Sequence, residues 1–321
     1  MSAPGVEIAQ PSRQGLDWVR ARAEIARSAI DSIEPRPLFF HGFDEFMRAM
    51  PNHIARSSLF APVAPDRKKL HDGSVLVSRG DAVIRFKGKQ LDEAQSDVWM
   101  QAMHQASKLP LGEPVVINRA AFLKAIGRTT QGENYKWLHR TMEDLAFAML
   151  VIEITKGGKP KLTIGKTRAL HMIQGFDYAD EIYTLRIDPR WRDMYRNREF
   201  ALIDWQKRLR FGRHQNMAKA LQRLVATSSD SVQRYALDWL KSKLEYHSPD
   251  RKFREALAGA CHELERLEIV ASWRIEASTK GKPQLALWVP YRSCVPPSSE
   301  LRSASSELRS VLSELRSATA V

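Results

Sequence analysis

Residues 248–289 read SPDRKFREALAGACHELERLEIVASWRIEASTKGKPQLALWV. The Ser-Pro-Asp start at 248–250 is typical of a helix N-terminus, with an N-cap residue, a proline at the first helical position and an acid in the first turn. Apolar residues then recur at helical spacing from Phe253 to Leu267. Alternation over 269–276, a basic turn at 280–283 and a second alternating run predict two strands. Helix, strand, basic turn and strand form the second half of a winged helix.

The same order of elements occurs earlier in the chain. An apolar helical stripe runs from Leu138 to Met149, and alternating residues follow at 150–154. A basic turn over 156–161 and a short apolar run at 162–164 complete the pattern. Both turns contain Gly-Lys-Pro, which indicates two copies of one architecture. We therefore predict an α+β protein with tandem winged-helix (helix-turn-helix) domains rather than one large enzyme fold.

Composition changes along the chain predict four regions. Residues 1–74 form an N-terminal extension with an amphipathic helix at 16–33, which packs on its own domain or on a second copy, and an irregular linker. Residues 75–187 form the first winged-helix domain. Residues 188–292 form the second, which we expect to be the main DNA reader. Residues 293–321 are a low-complexity tail with Ser-Glu-Leu-Arg heptads, expected to be disordered or weakly helical.

Local patterns predict the elements inside the two domains. In the first domain they are a hairpin over 75–87, a helix over 91–108, a strand at 115–117, a helix capped by Asn118 and a strand over 182–187. In the second they are a helix that starts at Asp188-Pro189, a helical region over 205–223 and a further helix over 231–246.

The bulk properties favour a polyanionic partner. The 321 residues carry a formal net charge of +13, which attracts nucleic acid first and an anionic membrane surface second. The chain has two cysteines, Cys261 and Cys294, which suits a reducing compartment. No apolar run approaches the ~20 residues that span a bilayer. The first ten residues lack the features of a signal peptide, so we expect a cytoplasmic protein without a membrane partner.

The candidate DNA contacts lie on both predicted groove helices and beside them. Side chains near the N-terminal end of a groove-bound helix reach base edges, whereas lysines of a wing meet phosphate. A charge run over 207–223 is either a solvated face or a set of phosphate contacts. The candidates are Arg251, Lys252, Arg254 and Glu255 on the second helix; Asn134, Tyr135, Lys136 and Arg140 on the first; Lys159, Lys280 and Lys282 in the turns; and Lys207, Arg208, Arg210 and Arg213 in the charge run.

The sequence gives no sign of catalysis. Neither the histidines nor the cysteines have the spacing of a zinc site, and no glycine loop ends in Lys-Ser or Lys-Thr. Cys261 and His262 are neighbours on a helix and point in different directions, so we interpret Cys261 as a buried packing residue. We expect no enzyme activity, no catalytic residue, no metal and no cofactor.

Four segments carry a likeness to a known family: the run FMRAMPN at 46–52, the motif Leu-Gly-Glu-Pro at 111–114, the helix over 132–145 and the Cys-His-Glu-Leu run at 261–264. Together they resemble the TrfA-type plasmid replication initiators. The resemblance covers roughly residues 46–289. It implies a tandem winged-helix protein that binds direct repeats (iterons) in double-stranded plasmid DNA, with the C-terminal winged helix in the major groove.

The resemblance also implies partners. Such initiators open adjacent AT-rich DNA and act with the host initiator and the replicative helicase, and they form dimers that are typically inactive. The family's sliding-clamp motif falls on residues 35–39, where this chain keeps only Leu38-Phe39, so at most a weak clamp contact is implied. Autorepression and plasmid copy control would follow from the same DNA binding.

Two other classes of function compete with initiation. A dimeric winged-helix transcriptional repressor would use the same modules but bind one inverted repeat. A relaxase or nuclease would show metal-dependent nicking. Tandem direct-repeat binding with local melting distinguishes an initiator from both.

Overall fold

The computed structural model describes residues 45–78, 82–154 and 166–290. The predicted helix at 16–33, Leu38-Phe39, Lys159 in the first basic turn, and Cys294 with the heptad tail lie outside these residues. Buried side chains form two clusters, one between Met50 and Trp205 and one between Phe211 and Leu287. We call residues 45–205 the first unit, 206–210 the connecting segment and 211–290 the second unit. Both units mix helices with antiparallel sheet.

Ordered structure in the first unit begins earlier than predicted. Strand β1 (Met47–Pro51) pairs antiparallel with β11 (Phe200–Asp204), and helix α1 (Asn52–Arg56) follows. Strand β2 (Phe60–Ala61) pairs parallel with β5 (Leu91–Asp92). The predicted irregular linker is therefore wrong for this stretch, because its strands are completed by partners far along the chain. Local sequence carries no trace of such pairing.

A four-stranded antiparallel sheet follows, in the order β3-β4-β7-β8. It confirms the predicted hairpin at 75–87 and places the strand after the first helical stripe next to it. Its inward face carries Ile84, Phe86 and Ile152, all fully buried. The strands are β3 (Leu70–Leu76), β4 (Ala82–Lys89), β7 (Met149–Ile154) and β8 (Thr167–His171).

Three helices and a second sheet complete the core of the first unit. The Asp92 side chain accepts the backbone N–H of Gln95 in a capping box, and Asn118 accepts the N–H groups of Ala120 and Ala121, as predicted. The sheet order is β6-β10-β9. The elements are α2 (Glu93–Ala106), β6 (Val115–Asn118), α3 (Arg119–Ala125), α4 (Gly132–Phe147), β9 (Gly175–Ala179) and β10 (Ile182–Arg186).

The first unit continues beyond the strand that was expected to close it. A 3-10 helix (Pro189–Arg198) starts where Asp188 accepts the N–H of Arg190. Its Trp191 is fully buried and donates its indole N–H to the His171 carbonyl oxygen at 2.8 Å. Strand β11 then returns to β1. Packing thus holds residues 189–205 to the first unit, whereas the predicted division at 187 rested on local pattern alone.

The second unit contains a three-stranded antiparallel sheet in the order β12-β14-β13. The helix predicted over 231–246 is wrong in its first half, because Val232–Ala236 pair with the strand at 284–288 instead. The helical region over 205–223 is broken between two helices at 210–215. Helix α5 (Trp205–Leu209) begins at the last residue of the first unit and runs through the connecting segment. The elements of the second unit are α6 (Asn216–Val225), β12 (Val232–Ala236), α7 (Leu237–Lys243), α8 (Asp250–Arg266), β13 (Ser272–Ala277) and β14 (Pro283–Trp288).

The two units meet at a seam that contains buried charges. Glu93 on α2 contacts Arg208 of the connecting segment at 2.7 Å and also pairs with Arg223 of α6, and all three side chains are 0% exposed. Asp97, one turn further along α2, contacts Arg208 and Lys219, each at 2.7 Å. We call these five residues the ion cluster. Burial would raise the pKa of Glu93, but Arg223 and Arg208 hold that pKa below its usual value.

Lys243 lies beside the ion cluster. Its ammonium nitrogen is 3.2 Å from the Ser57 carbonyl oxygen, and its side chain is buried. Burial first, and then the positive charge of Arg223, lower the pKa of Lys243 from its usual 10.5 to about 7, while Glu93 opposes the shift and Arg56 adds to it. The folded protein therefore binds this proton more weakly than the unfolded chain.

Between pH ~7 and ~10, the unfolded state holds a proton on Lys243 that the folded state lacks, so the Lys243 contribution to stability increases with pH. We expect Lys243→Met to stabilise the protein near pH 7 and to flatten the increase of unfolding free energy between pH ~7 and ~8.5. Urea unfolding at several pH values measures both effects.

Lys124→Met on the exposed side of α3 is the matched control, because it removes an equal charge without burial. An unchanged pH dependence in Lys243→Met would contradict the assignment.

Candidate nucleic-acid interface

Helix α8 separates a buried stripe from a charged exposed face. Phe253, Leu257 and Leu264 are buried, as the spacing predicted. The helix begins at Asp250, so Pro249 rather than Ser248 occupies the N-cap position. The four side chains of α8 that were predicted to meet DNA all lie on the exposed face: Arg251, Lys252, Arg254 and Glu255.

Contacts with the preceding turn fix the start of α8. The Phe253 ring lies 5.2 Å from the Tyr246 ring, and the Tyr246 hydroxyl donates to the Lys252 carbonyl oxygen at 3.2 Å. Lys241 on α7 pairs with Asp250. These contacts hold the first turn of α8 while its long cationic side chains stay in solvent.

Two charges on the exposed face of α8 are paired with each other. Arg251 donates to Glu255 at 2.9 Å, and the two side chains are 81% and 60% exposed. An exposed ion pair at this spacing is worth only ~0.5 kcal/mol, so a phosphate or a guanine can displace Glu255 as the partner of Arg251. Glu255 is then free to accept a hydrogen bond from a base amine.

The basic turn between β13 and β14 is well formed and exposed. Gly281 has a φ of +71°, a conformation that favours glycine. The Ser278 carbonyl oxygen accepts the N–H of Gly281, and the Ser278 N–H donates to the Lys282 carbonyl oxygen, each at 2.8 Å. Lys280 and Lys282 project from this turn into solvent, where phosphate is the natural partner.

Helix α4 presents fewer free side chains than the sequence predicted. Asn134 donates to the carbonyl and hydroxyl oxygens of Thr129 at 2.9 and 2.8 Å, and accepts from Arg128 at 3.2 Å. Tyr135 lies under the Arg119 guanidinium, 4.0 Å from the ring centre. Both side chains therefore brace the start of α4, which local spacing could not reveal.

Lys136 and Arg140 remain exposed on α4. Lys136 pairs with Glu133 at 3.0 Å, three residues before it on the same helix, where both side chains are largely exposed. Such a pair is weak, so both cations are available to an anionic partner. Helix α4 is followed by β7 and then by β8, which pairs antiparallel with β7, whereas the short apolar run predicted at 162–164 lies outside the described residues.

The charge run over 207–223 divides between the seam and the surface. Arg208 is fully buried in the ion cluster, where burial opposes ionisation but Asp97 and Glu93 raise its pKa above the usual value. Its predicted phosphate contact is therefore wrong, since the side chain cannot reach solvent. Lys207 is half-buried and donates to the Glu268 carbonyl oxygen at 2.9 Å. Arg210 and Arg213 are exposed.

Sequence reasoning missed two arginines that shape the interface. Arg128, in the turn before α4, lies over the Trp137 ring at 3.5 Å from its centre, and Arg119 bridges Tyr135 and the Tyr178 hydroxyl, the latter at 2.8 Å. Arg128 lies in a turn, and Arg119 is the first residue of α3, so neither belongs to a helix that was predicted to enter a groove. Their cation–π contacts depend on aromatic residues brought close only by folding.

Cys261 is buried on the inner side of α8, as predicted for a packing residue. Burial raises the pKa of its thiol to about 12, so the reactive thiolate is scarce at neutral pH. Within the described ranges, every helix is too short or too polar to cross a bilayer.

The fold and the exposed cationic helix define a two-unit α/β protein with a candidate nucleic-acid-binding face. The sequence model of the family described as TrfA protein matches residues 35–189. The chain is also 22% identical to the plasmid replication initiator protein TrfA of Escherichia coli over 229 residues. That alignment covers 68% of this chain and 56% of that protein, so the chain spans little more than half of its relative's length. The resemblance to TrfA-type initiators is thereby confirmed.

A solved structure shares the fold. The crystal structure of selenomethionine derivatives of domains 2 and 3 of RctB superposes with a TM-score of 0.53 at 14% identity, covering 75% of this chain and 98% of that one. At this identity the likeness concerns the fold alone. It spans both units, which places the seam inside the shared architecture.

We expect Asn134→Ala to lower the free energy of unfolding by roughly 1–2 kcal/mol, because it removes the side chain that joins the turn to α4. Lys136→Ala, two residues further on the same helix, should stay within about 0.5 kcal/mol of the parent protein. Urea unfolding measures both. Unaltered stability of Asn134→Ala combined with weaker DNA binding would instead make Asn134 a direct DNA contact.

Proposed function

We propose that this protein is a plasmid replication initiator that binds direct repeats in double-stranded origin DNA. The observation that carries the proposal is the exposed cationic face of α8, followed along the chain by the exposed basic turn at 280–282, in a chain that matches the TrfA family model over residues 35–189. Its curated relative is named a plasmid replication initiator. An anionic duplex is the partner that this surface suits best.

The proposed architecture is a tandem of winged helices. In each unit a helix is followed by two antiparallel strands, α4 by β7 and β8, and α8 by β13 and β14. In a winged helix the helix enters the major groove, and the hairpin rests on the adjacent backbone. The exposed sides of α4 and α8 support this reading, because each carries cations near the N-terminal half of its helix.

The second unit is the stronger candidate for reading sequence. Arg251, Lys252 and Arg254 are exposed within the first turns of α8, where guanidinium groups can donate two hydrogen bonds to guanine. Lys280 and Lys282 are assigned to phosphate. In the first unit Lys136 and Arg140 are assigned to the DNA backbone. Arg210 of the connecting segment and Arg213 at the start of the second unit are assigned as further phosphate contacts.

The remaining roles are proposed from the family likeness. The protein would open adjacent AT-rich DNA, recruit the host initiator and replicative helicase, and repress its own gene by binding the same repeats, so that copy number is limited. These actions require binding rather than catalysis, and we propose that the chain has no enzymatic activity. We place it in the cytoplasm, where plasmid DNA is replicated.

Footprinting on the plasmid's own origin tests the function. We expect regular protection in phase with direct repeats, and a steep loss of affinity as salt rises, because each phosphate contact releases a counterion. Protection of one inverted repeat would favour a dimeric repressor. Protection that does not depend on sequence, or none, would refute specific origin binding.

Two substitutions separate base reading from phosphate contact. Arg251→Ala should cost about 1–3 kcal/mol of binding free energy on the parent repeat and relax the preference at one base position. Lys282→Ala should weaken binding to all duplexes alike and reduce the salt slope by about one. Binding to the repeat and to single-base variants, measured at several salt concentrations, gives both quantities.

Arg266→Ala is the matched control, since Arg266 lies at the far end of α8 and is held by Glu263. We expect its affinity to equal that of the parent protein. A uniform loss for Arg251→Ala, with no change of base preference, would contradict its assignment as a base reader.

A further inference from the structure

The contacts across the seam are directional. Arg223 faces Glu93 with two of its nitrogens, one of them at 3.2 Å, and donates to the Phe60 carbonyl oxygen at 2.8 Å. Arg56 of the first unit donates to the Thr227 hydroxyl at 2.8 Å. Paired guanidinium–carboxylate contacts impose distance and angle, whereas apolar contacts allow sliding. The seam therefore specifies one relative placement of the two units.

The ion cluster is linked to both candidate DNA helices by packed elements. On the first side, Gln95 in the first turn of α2 donates to Asp144 of α4 at 2.8 Å. On the second side, α6 packs along α8. The order of contact is thus α4, α2, ion cluster, α6, α8.

Residues at the end of the first unit and in the connecting segment contact the end of α3 and the turn before α4. The Trp205 indole N–H donates to the Ala125 carbonyl oxygen at the end of α3, at 2.9 Å. Leu209 closely approaches Gly127 in the turn before α4, because a Cβ built on that glycine would lie 3.1 Å from Leu209 Cδ2. Residues that lead into the second unit therefore also hold the turn that starts α4.

We propose that the ion cluster sets the separation of α4 and α8, and so determines which spacing between two successive groove contacts the protein accepts. Glu93, Asp97, Arg208 and Arg223 are positioning residues, since they are buried and cannot touch DNA. The consequence for DNA rests on the proposed function, whereas the consequence for the distance between the helices does not.

The variant that tests the proposal is Glu93→Met combined with Arg223→Met. Replacing a buried ion pair by apolar side chains of similar volume generally preserves folding, whereas removing one partner leaves an uncompensated charge. Asp97→Asn is the second variant. It keeps the ion pairs of Glu93 with Arg208 and Arg223, but it weakens the contacts that Arg208 and Lys219 make with residue 97. Circular dichroism verifies the fold of each variant.

The first readout is the distance between α4 and α8 in the full chain without DNA. Spin labels are attached to cysteines introduced at Glu133 and Glu265, which are 81% and 44% exposed. Cys294 is replaced by Ser, and Cys261 is kept because its burial protects it from labelling. We expect one narrow distance distribution in the parent protein, and a broadened or displaced one in both variants.

The second readout is affinity for the origin repeat and for a repeat lengthened by a few base pairs at its centre. We expect the parent protein to bind the lengthened repeat at least about tenfold more weakly. The Glu93→Met, Arg223→Met variant should bind the two repeats with more nearly equal affinity, while it keeps its preference for the bases that α8 is proposed to contact.

The matched control is Asp193→Asn, which removes a partner of Arg168 at 2.5 Å inside the first unit. It should leave the distance distribution and the spacing preference unchanged. A narrow, undisplaced distribution in both seam variants, or a broad one in the parent protein, would overturn the proposal. If the parent protein binds no duplex specifically, the proposed function fails, and the distance measurement alone still decides the role of the ion cluster.

Discussion

A fully buried carboxylate is stable in its charged form only when cations pair with it. The Glu93 carboxylate pairs with two guanidinium groups, those of Arg208 and Arg223, which lie outside its own helix. Arg208 and Arg223 approach from the connecting segment and from the second unit, so ionisation of Glu93 depends on assembly of both units. Burial alone would raise the pKa of Asp97 as well, but Arg208 and Lys219 hold it below its usual value. The charged seam makes the two units interdependent.

That interdependence bears on the proposed DNA-binding surface. Because Arg208 and Arg223 are buried at the seam, the exposed cations proposed to meet DNA are those of α8, of the turn at 280–282, of α4, and Arg210 and Arg213 near the connecting segment. Helix α4 contributes less, because Asn134 and Tyr135 brace its own N-terminal turn. The second unit therefore carries most of the proposed sequence reading, and the first unit carries the proposed contacts to the DNA backbone.

Local sequence predicted the elements whose pattern is complete within one stretch. The stripe from Phe253 to Leu264, the hairpin at 75–87 and the Asn118 cap all reflect interactions between near neighbours. Prediction from local sequence failed where residues far away in the chain decide which secondary structure forms. Strand β1 forms because it pairs with β11, and Val232–Ala236 form a strand because they pair with β14.

The candidate site followed the same rule. Exposure of the α8 cations and of the turn lysines could be predicted, because an amphipathic helix places its charges away from its apolar stripe. The burial of Arg208 could not, since nothing near it in the sequence distinguishes it from Arg210. Its partners Glu93 and Asp97 lie more than a hundred residues earlier, and only the tertiary fold brings the three together.

Native-state hydrogen exchange tests most directly whether the seam makes the two units one cooperative body. Amides in α2 and α6 report the two sides of the ion cluster, and increasing denaturant separates local from global opening. Our account predicts that both helices exchange only through the same global unfolding, with equal free energies of opening. If α6 and α8 opened at a lower free energy while α2 stayed protected, the second unit would unfold independently, and the ion cluster would not be the constraint described above.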